Sequence, residues 1–165
     1  MRLIIAGSRS ATQADLRKAV ARCKWVGFAS AVVSGTARGA DQLGEHWAEE
    51  RGLEVVRYPA EWEKYGRRAG PFRNKVMAEH ADGLVALWDG TSKGTRSMIE
   101  LALDKQIRVF VYRTDTGKTE SHEAGGTAAR LWDEAEERAA ILEFSGGLSR
   151  EDAERTAGLQ GVEEV

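Results

Sequence analysis

Three strand-like apolar runs in this chain each break into a turn rich in Gly, Ser, Thr and basic residues. Residues 3–6 lead into Gly7, Ser8 and Arg9; residues 31–33 lead into the turn from Ser34 to Asp41; residues 84–88 lead into the turn from Asp89 to Thr95. Each turn is followed by a helical pattern. Backbone N–H groups at such turns, together with the helix N-termini behind them, hold phosphate oxygens. Threefold repetition of this layout predicts an α/β domain that binds a nucleotide-like small molecule.

Bulk properties narrow the choice. A chain of 165 residues with 42% hydrophobic content has material for one sizeable core. The net charge of −2 gives no global drive onto nucleic acid, so anion binding must come from local groups such as Arg67, Arg68, Arg73 and Lys75. The single cysteine, Cys23, excludes an intramolecular disulfide, and the apolar start at residues 1–7 is too short for a signal peptide. No stretch has the length to span a membrane. The expected location is the cytoplasm. His46, His80 and His122 stand at no metal-ligand spacing, and neither a metal nor a cofactor is expected.

Along the chain, residues 2–6, 30–34, 53–58, 83–88 and 107–112 read as strands. Residues 11–27, 38–51, 71–81 and 95–105 read as helices, the first with Leu16, Val20 and Cys23 at helical spacing. Strict alternation predicts a Rossmann-like three-layer sandwich: a five-stranded parallel sheet in the order 3-2-1-4-5 with helices on both faces. In that order a crevice opens above the carboxyl ends of strands 1 and 4. This domain is expected to span residues 1–113. Residues 114–165 then read as a polar linker followed by a helical tail, in which Ala128, Leu131, Trp132, Ala135, Ala139 and Leu142 recur at helical spacing.

The turns carry the candidate site. Gly7, Ser8 and Arg9 sit at the switch point. In the second turn Gly35 and Gly39 permit close backbone approach, while Ser34, Thr36 and Arg38 add donors. Asp41 has three open readings: acceptor for ribose hydroxyls, complement to a helix dipole, or catalytic carboxylate. The turn from Asp89 through Gly90, Thr91, Ser92, Lys93, Gly94 and Thr95 is dense in donors but lacks the Gly-Lys-Ser/Thr ending of a Walker loop. Gly70 and Pro71 open a helix whose first turn brings Arg73, able to fork onto a phosphate, and Asn74. Trp62 and Tyr65 either stack on a base or cover the sheet edge.

The ordered set Tyr58-Pro59-Ala60-Glu61-Trp62, Tyr65-Gly66, Ala69-Gly70-Pro71-Phe72-Arg73-Asn74, Met77, Ala81-Asp82 and residues 88–95 resembles the YspA-type branch of the SLOG superfamily. These are Rossmann-like proteins of bacteria and phages. The resemblance covers roughly residues 1–112 and implies a homodimer; with the crevice formed by the turns at Gly7, Gly35, Gly70 and Gly90, the expected function is binding of a nucleotide or nucleotide derivative, as a sensor or sequestering protein.

Two related branches imply further activities. Lonely Guy phosphoribohydrolases, which release the base from a nucleoside 5′-monophosphate, use an Arg four residues before a Met and a Pro-Gly-Gly-x-Gly-Thr turn with a Glu just beyond it. Arg73 and Met77 match the first element, and Gly90 with Gly94 and Thr95 partly match the second. Ser97 and Met98 stand where the Glu is expected, and Glu100 lies about 200° around the helix from Met98. A carboxylate for glycosidic hydrolysis would therefore come from Asp41, Glu61, Asp89 or Glu100. The alternative function is thus cleavage of an N-glycosidic bond, with Arg73, Asp41, Asp89 and Glu100 as catalytic candidates. The DprA branch, which loads recombinase onto single-stranded DNA, is similar in its Ser-Gly-x-Ala-x-Gly-x-Asp turn, matched by Ser34 to Asp41, and in its Arg-Asn pair, matched by Arg73 and Asn74. Single-stranded DNA ranks third as a ligand.

Overall fold

The computed structural model describes residues 1–124. One sheet runs in the order β3-β2-β1-β4-β5-β6, built from β1 (Arg2–Gly7), β2 (Ala31–Ser34), β3 (Glu54–Arg57), β4 (Gly83–Trp88), β5 (Arg108–Arg113) and β6 (Thr119–His122). The first five strands are parallel and stand in the expected order. The helices between them are α1 (Gln13–Arg22), α2 (Ala40–Glu49), α3 (Trp62–Tyr65), α4 (Ala69–Glu79) and α5 (Lys93–Asp104). The class is α/β and Rossmann-like.

Burial on both faces explains the near-continuous apolar strands. Val32, Val33, Leu84, Val85, Ala86 and Val109 are all buried to within 1%. Alternation divides the strand residues between two layers. Leu3, Ile5, Val85, Leu87, Phe110 and Tyr112 join Leu16, Ala19 and Trp47 of α1 and α2 in one cluster. Their neighbours Ile4, Leu84, Ala86, Val109 and Val111 point the other way and are equally buried, as are Met77 of α4 and Met98, Ile99 and Ala102 of α5.

The order places β1 between β2 and β4. Gly7 ends level with Leu87, and the Ser8 amide donates to the Leu87 carbonyl at 2.8 Å. The chain then turns away from β4 toward α1, which opens the crevice. Thr12 and Asp15 start α1 with reciprocal bonds: the Asp15 amide donates to Thr12 Oγ1 and the Thr12 amide to Asp15 Oδ2.

Four features differ from the sequence reading. A sixth strand, β6, runs antiparallel to β5 inside the segment expected to be a linker. It is an edge strand of mostly exposed Thr-Glu-Ser-His, held by ladder hydrogen bonds that leave no apolar alternation to detect. Helix α1 stops at Arg22 rather than running to 27, because Trp25 and Val26 turn inward and are buried; a Cβ on Gly83 would come within 2.9 Å of the Trp25 ring. The loop after β3 contains the single-turn helix α3 and a 3-10 turn. Helix α4 begins at Ala69, so Pro71 lies inside its first turn, where no amide has an intrahelical acceptor to lose. The tail helix expected around residues 128–142 lies outside the described residues. Among the described residues, no helix is long and apolar enough to cross a membrane.

Candidate functional site

The turns after β1, β2 and β4, the second turn of α4 and the first turn of α5 surround one cleft of about 460 Å³; because α4 begins at Ala69, Arg73 stands one turn deeper in the helix than the sequence placed it. Gly7 and Arg9 contribute from the first turn, Arg38 and Asp41 from the second, and Asp89, Ser92, Gly94 and Thr95 from the fourth strand's turn. Arg73 and Asn74 contribute from α4. Met77 and Met98, both nearly fully buried, give the cleft apolar wall. Ala6, Ser10 and Ala37 also line it, and the sequence reading did not single them out. Met77 had a signal, since it lies four residues after Arg73 and so on the same helical ridge.

The remaining candidates stand behind or beside the cleft. Ser8 is buried, and its Oγ accepts from the Asp89 amide at 3.1 Å, tying the first turn to the fourth strand's turn. Ser34 is also buried; its Oγ donates to Glu45 Oε1 at 2.6 Å and accepts from the Thr36 amide at 3.0 Å. Thr36 itself is exposed and has φ of +59°, a conformation that opposes a β-branched side chain. It aims the next amide, that of Ala37, at Asp41 Oδ2, 3.2 Å away. Gly90, Thr91 and Lys93 belong to the same turn as Ser92 and Gly94 without lining the cleft. Gly70 lies beneath Trp62. Glu100 points along α5 to Arg96, with Oε1 3.2 Å from Nε, while Met98 faces the cleft.

Two glycines show why the second turn is built as it is. Gly39 has φ of +84°, and a Cβ there would fall 2.6–2.7 Å from backbone atoms of Arg9 and Ser8. Only glycine lets the second turn close on the first. At Gly35 a Cβ would meet the Arg73 guanidinium and the Asp41 carboxylate together. Arg73 donates to the Gly35 carbonyl through Nη1 and to Asn74 Oδ1 through Nε at 3.0 Å. The guanidinium is thus anchored by two of its five donors, which leaves the others for a ligand.

The two cleft carboxylates have opposite electrostatics. Burial pushes the Asp41 pKa above its ordinary value, against the downward pull of the Ala37 amide, the Arg73 charge and the Gly35 amide; Glu45 adds to the rise. Burial likewise lowers the Arg73 pKa although Asp41 raises it, so for both partners desolvation outweighs mutual attraction. Asp89 is also pushed up by partial burial. There the amides of Ser92 and Thr91, with the hydroxyls of Ser8 and Thr91, prevail and hold its carboxyl below the ordinary range. Its Oδ1 accepts from the Thr91 amide at 2.9 Å and the Ser92 amide at 2.7 Å. Burial thus disfavours the anionic form of Asp41, whereas the amides around Asp89 favour its anion, which shapes its turn. Behind that turn Ser92 caps α5, accepting from the Thr95 amide at 3.4 Å, and nothing stands within 4 Å of a Cβ placed on Gly94.

Comparison with known proteins gives three findings. A family model described as "YspA, cpYpsA-related SLOG family" matches residues 1–65. The Gene 61 protein of Mycobacterium phage D29 is 37% identical over 85 residues, covering 48% of this chain and 68% of the phage protein. The X-ray structure of DNA processing protein A (DprA) from Streptococcus pneumoniae superposes with a TM-score of 0.52 at 18% identity. That similarity covers 67% of this chain and 49% of the DprA chain, so this chain spans about half of DprA's length. At that identity the likeness is one of fold.

Proposed function

The chain belongs to the YspA, cpYpsA-related SLOG family, and from that premise we propose that it binds a nucleotide or nucleotide derivative in the cleft, as a sensor or sequestering protein. The observation that carries this reading is the convergence of Arg9, Arg38 and Arg73 on one cleft that also contains the open helix mouth at Gly94. The first amides of a twelve-residue helix lack intrahelical acceptors and favour an anion. The cleft volume, about 460 Å³, falls in the range of small-molecule sites. A homodimer, implied by the resemblance, is part of the proposal.

A second reading, hydrolysis of the N-glycosidic bond of a nucleoside 5′-monophosphate, is favoured by Asp41. A buried carboxylate whose pKa is raised, beside an arginine that can hold the phosphate, is suited to activating water. Single-stranded DNA is the weaker reading, because such binders need a continuous positive groove and this chain carries a net charge of −2. One experiment separates these readings. The protein is incubated with nucleoside monophosphates, NAD-like and cyclic nucleotides and an oligodeoxythymidylate, while thermal shift and released base are followed. A shift without turnover is expected. Free base would establish the hydrolase, a shift with the oligonucleotide alone would favour DNA, and no response to any nucleotide would overturn the binding reading.

A further inference from the structure

Helix α4 presents two adjacent ridges. Arg73 and Met77, four residues apart, face the cleft. Ala69, Phe72 and Val76, at i, i+3 and i+7, line a separate pocket of about 200 Å³ together with Tyr58, Pro59 and Tyr65. The ridges are rotated by about 100°, and Arg73 is a wall of both spaces. Phe72 is 50% exposed, yet its ring is already set: Tyr65 stacks on it with centroids 4.8 Å apart and planes at 26°. A half-exposed aromatic pair held in place beside an arginine-lined cleft offers a preset apolar face for a planar ligand. Arg57 and Glu61 of the pocket lining are 48% and 61% exposed and stand at the rim, where Arg57 is engaged by Glu45 at 2.7 Å and Glu61 lies 3.6 Å from Lys64.

We propose that this pocket is the base subsite of the same ligand: a planar heteroaromatic base stacks against Phe72 while its sugar phosphate occupies the cleft, with Arg73 as the shared wall. This rests on the nucleotide-binding reading above. It assigns ligand selection to Tyr58, Tyr65, Phe72 and Val76, and anion binding to the arginines and the α5 mouth. Because every base has a π face, stacking favours nucleotides as a class over bare sugar phosphates. Glu61 at the rim accepts only, so it adds a preference for a base edge that carries N–H groups.

The test is calorimetric titration of ribose 5-phosphate and the four nucleoside 5′-monophosphates into the wild-type protein, Phe72→Ala and Phe72→Trp. Half-exposure of Phe72 makes both variants compatible with folding, which a thermal melt checks. Phe72→Ala is expected to weaken nucleotide binding by about fivefold to a hundredfold, to leave ribose 5-phosphate unchanged, and to be rescued by Phe72→Trp. Unchanged nucleotide affinity in a folded Phe72→Ala protein would overturn the subsite. So would an equal loss for ribose 5-phosphate, which would make Phe72 a prop for Arg73. Dissociation of an oligomer by Phe72→Ala, seen in gel filtration without a change in affinity, would assign the ring to a contact between copies instead. If the wild-type protein binds none of these ligands, the cleft reading itself fails, an outcome distinct from the other three.

Discussion

The turn after β2 and the turn after β4 look alike as strings of Gly, Ser, Thr and a basic residue, but they do different work. The β2 turn is crowded: Gly39 abuts the backbone of Arg9, and Gly35 lies under Arg73 and Asp41. The β4 turn is open at Gly94, where an added Cβ would meet nothing within 4 Å. One turn makes the cleft by closing on its neighbours, and the other leaves a helix mouth for something to approach. The carboxylates follow the same division. Asp41 is buried and its pKa is raised by that burial, whereas Asp89 is held ionised by the amides it organises.

The contrast is tested most sharply by glycine replacements. Gly39→Ala should cost about 2–4 kcal/mol of stability, since it combines a disfavoured backbone conformation with contact against fixed main chain. Gly94→Val should leave the melting temperature nearly unchanged and weaken nucleotide binding, because a β-branched side chain then occupies the helix mouth. Equal melting temperatures for the two variants would erase the distinction between the turns. If Gly94→Val binds nucleotide as well as the wild type, the β4 turn is only a connection.

Arg73→Ala should weaken binding of a phosphorylated ligand by about 1.5–3 kcal/mol, the range for a hydrogen bond to a charged group, with little effect on the dephosphorylated nucleoside. Arg73→Lys should recover only part, for an ammonium lacks the planar fork. Calorimetry with the matched pair of ligands reads the difference. Equal losses for both would remove Arg73 from phosphate recognition.

The carboxylates give smaller effects with opposite signs. Asp89→Ala should lower stability at neutral pH by about 1 kcal/mol, as two turn amides lose a charged acceptor in a partly solvated place. The folded pKa of Asp89 is depressed, so its contribution is present above the ordinary Asp range and lost as the pH falls through the folded value. Asp41→Asn should instead raise the melting temperature at neutral pH. Its folded pKa is raised, so ionisation opposes folding above that value and the penalty disappears below the ordinary Asp range. Thermal melts between pH 7 and pH 3 should therefore show both variants converging on the wild type from opposite sides. Parallel curves for either variant would contradict its assigned environment.

The sheet and its core were legible from the sequence because the signal is local. Runs such as residues 84–88 are apolar at every position, which only burial on both faces requires, and the helices between them enforce parallel pairing. Strand β6 escaped because an exposed edge strand needs hydrogen bonds and no apolar pattern. The crevice, too, followed from strand order, and Arg73 stood out by its place in a helix just after Pro71, although α4 begins two residues earlier than Pro71 and so carries Arg73 past its first turn. Glu100 illustrates a rotational argument read from sequence alone: two residues beyond Met98, it turns to Arg96 while Met98 lines the cleft.

What the sequence by itself determined was the α/β order of elements, the buried strands and the set of turns that meet at their carboxyl ends. Tertiary structure alone decided which glycine is crowded and which is open, and which aspartate is held ionised. It also decided that Phe72, beside Arg73 in the chain, faces a second pocket. The reason is physical: a glycine's clearance and a carboxylate's pKa depend on atoms far away in the chain. The guanidinium that covers Gly35 comes from 38 residues downstream. Such contacts exist only after β1, β2 and β4 have brought their turns together, and no local pattern encodes them.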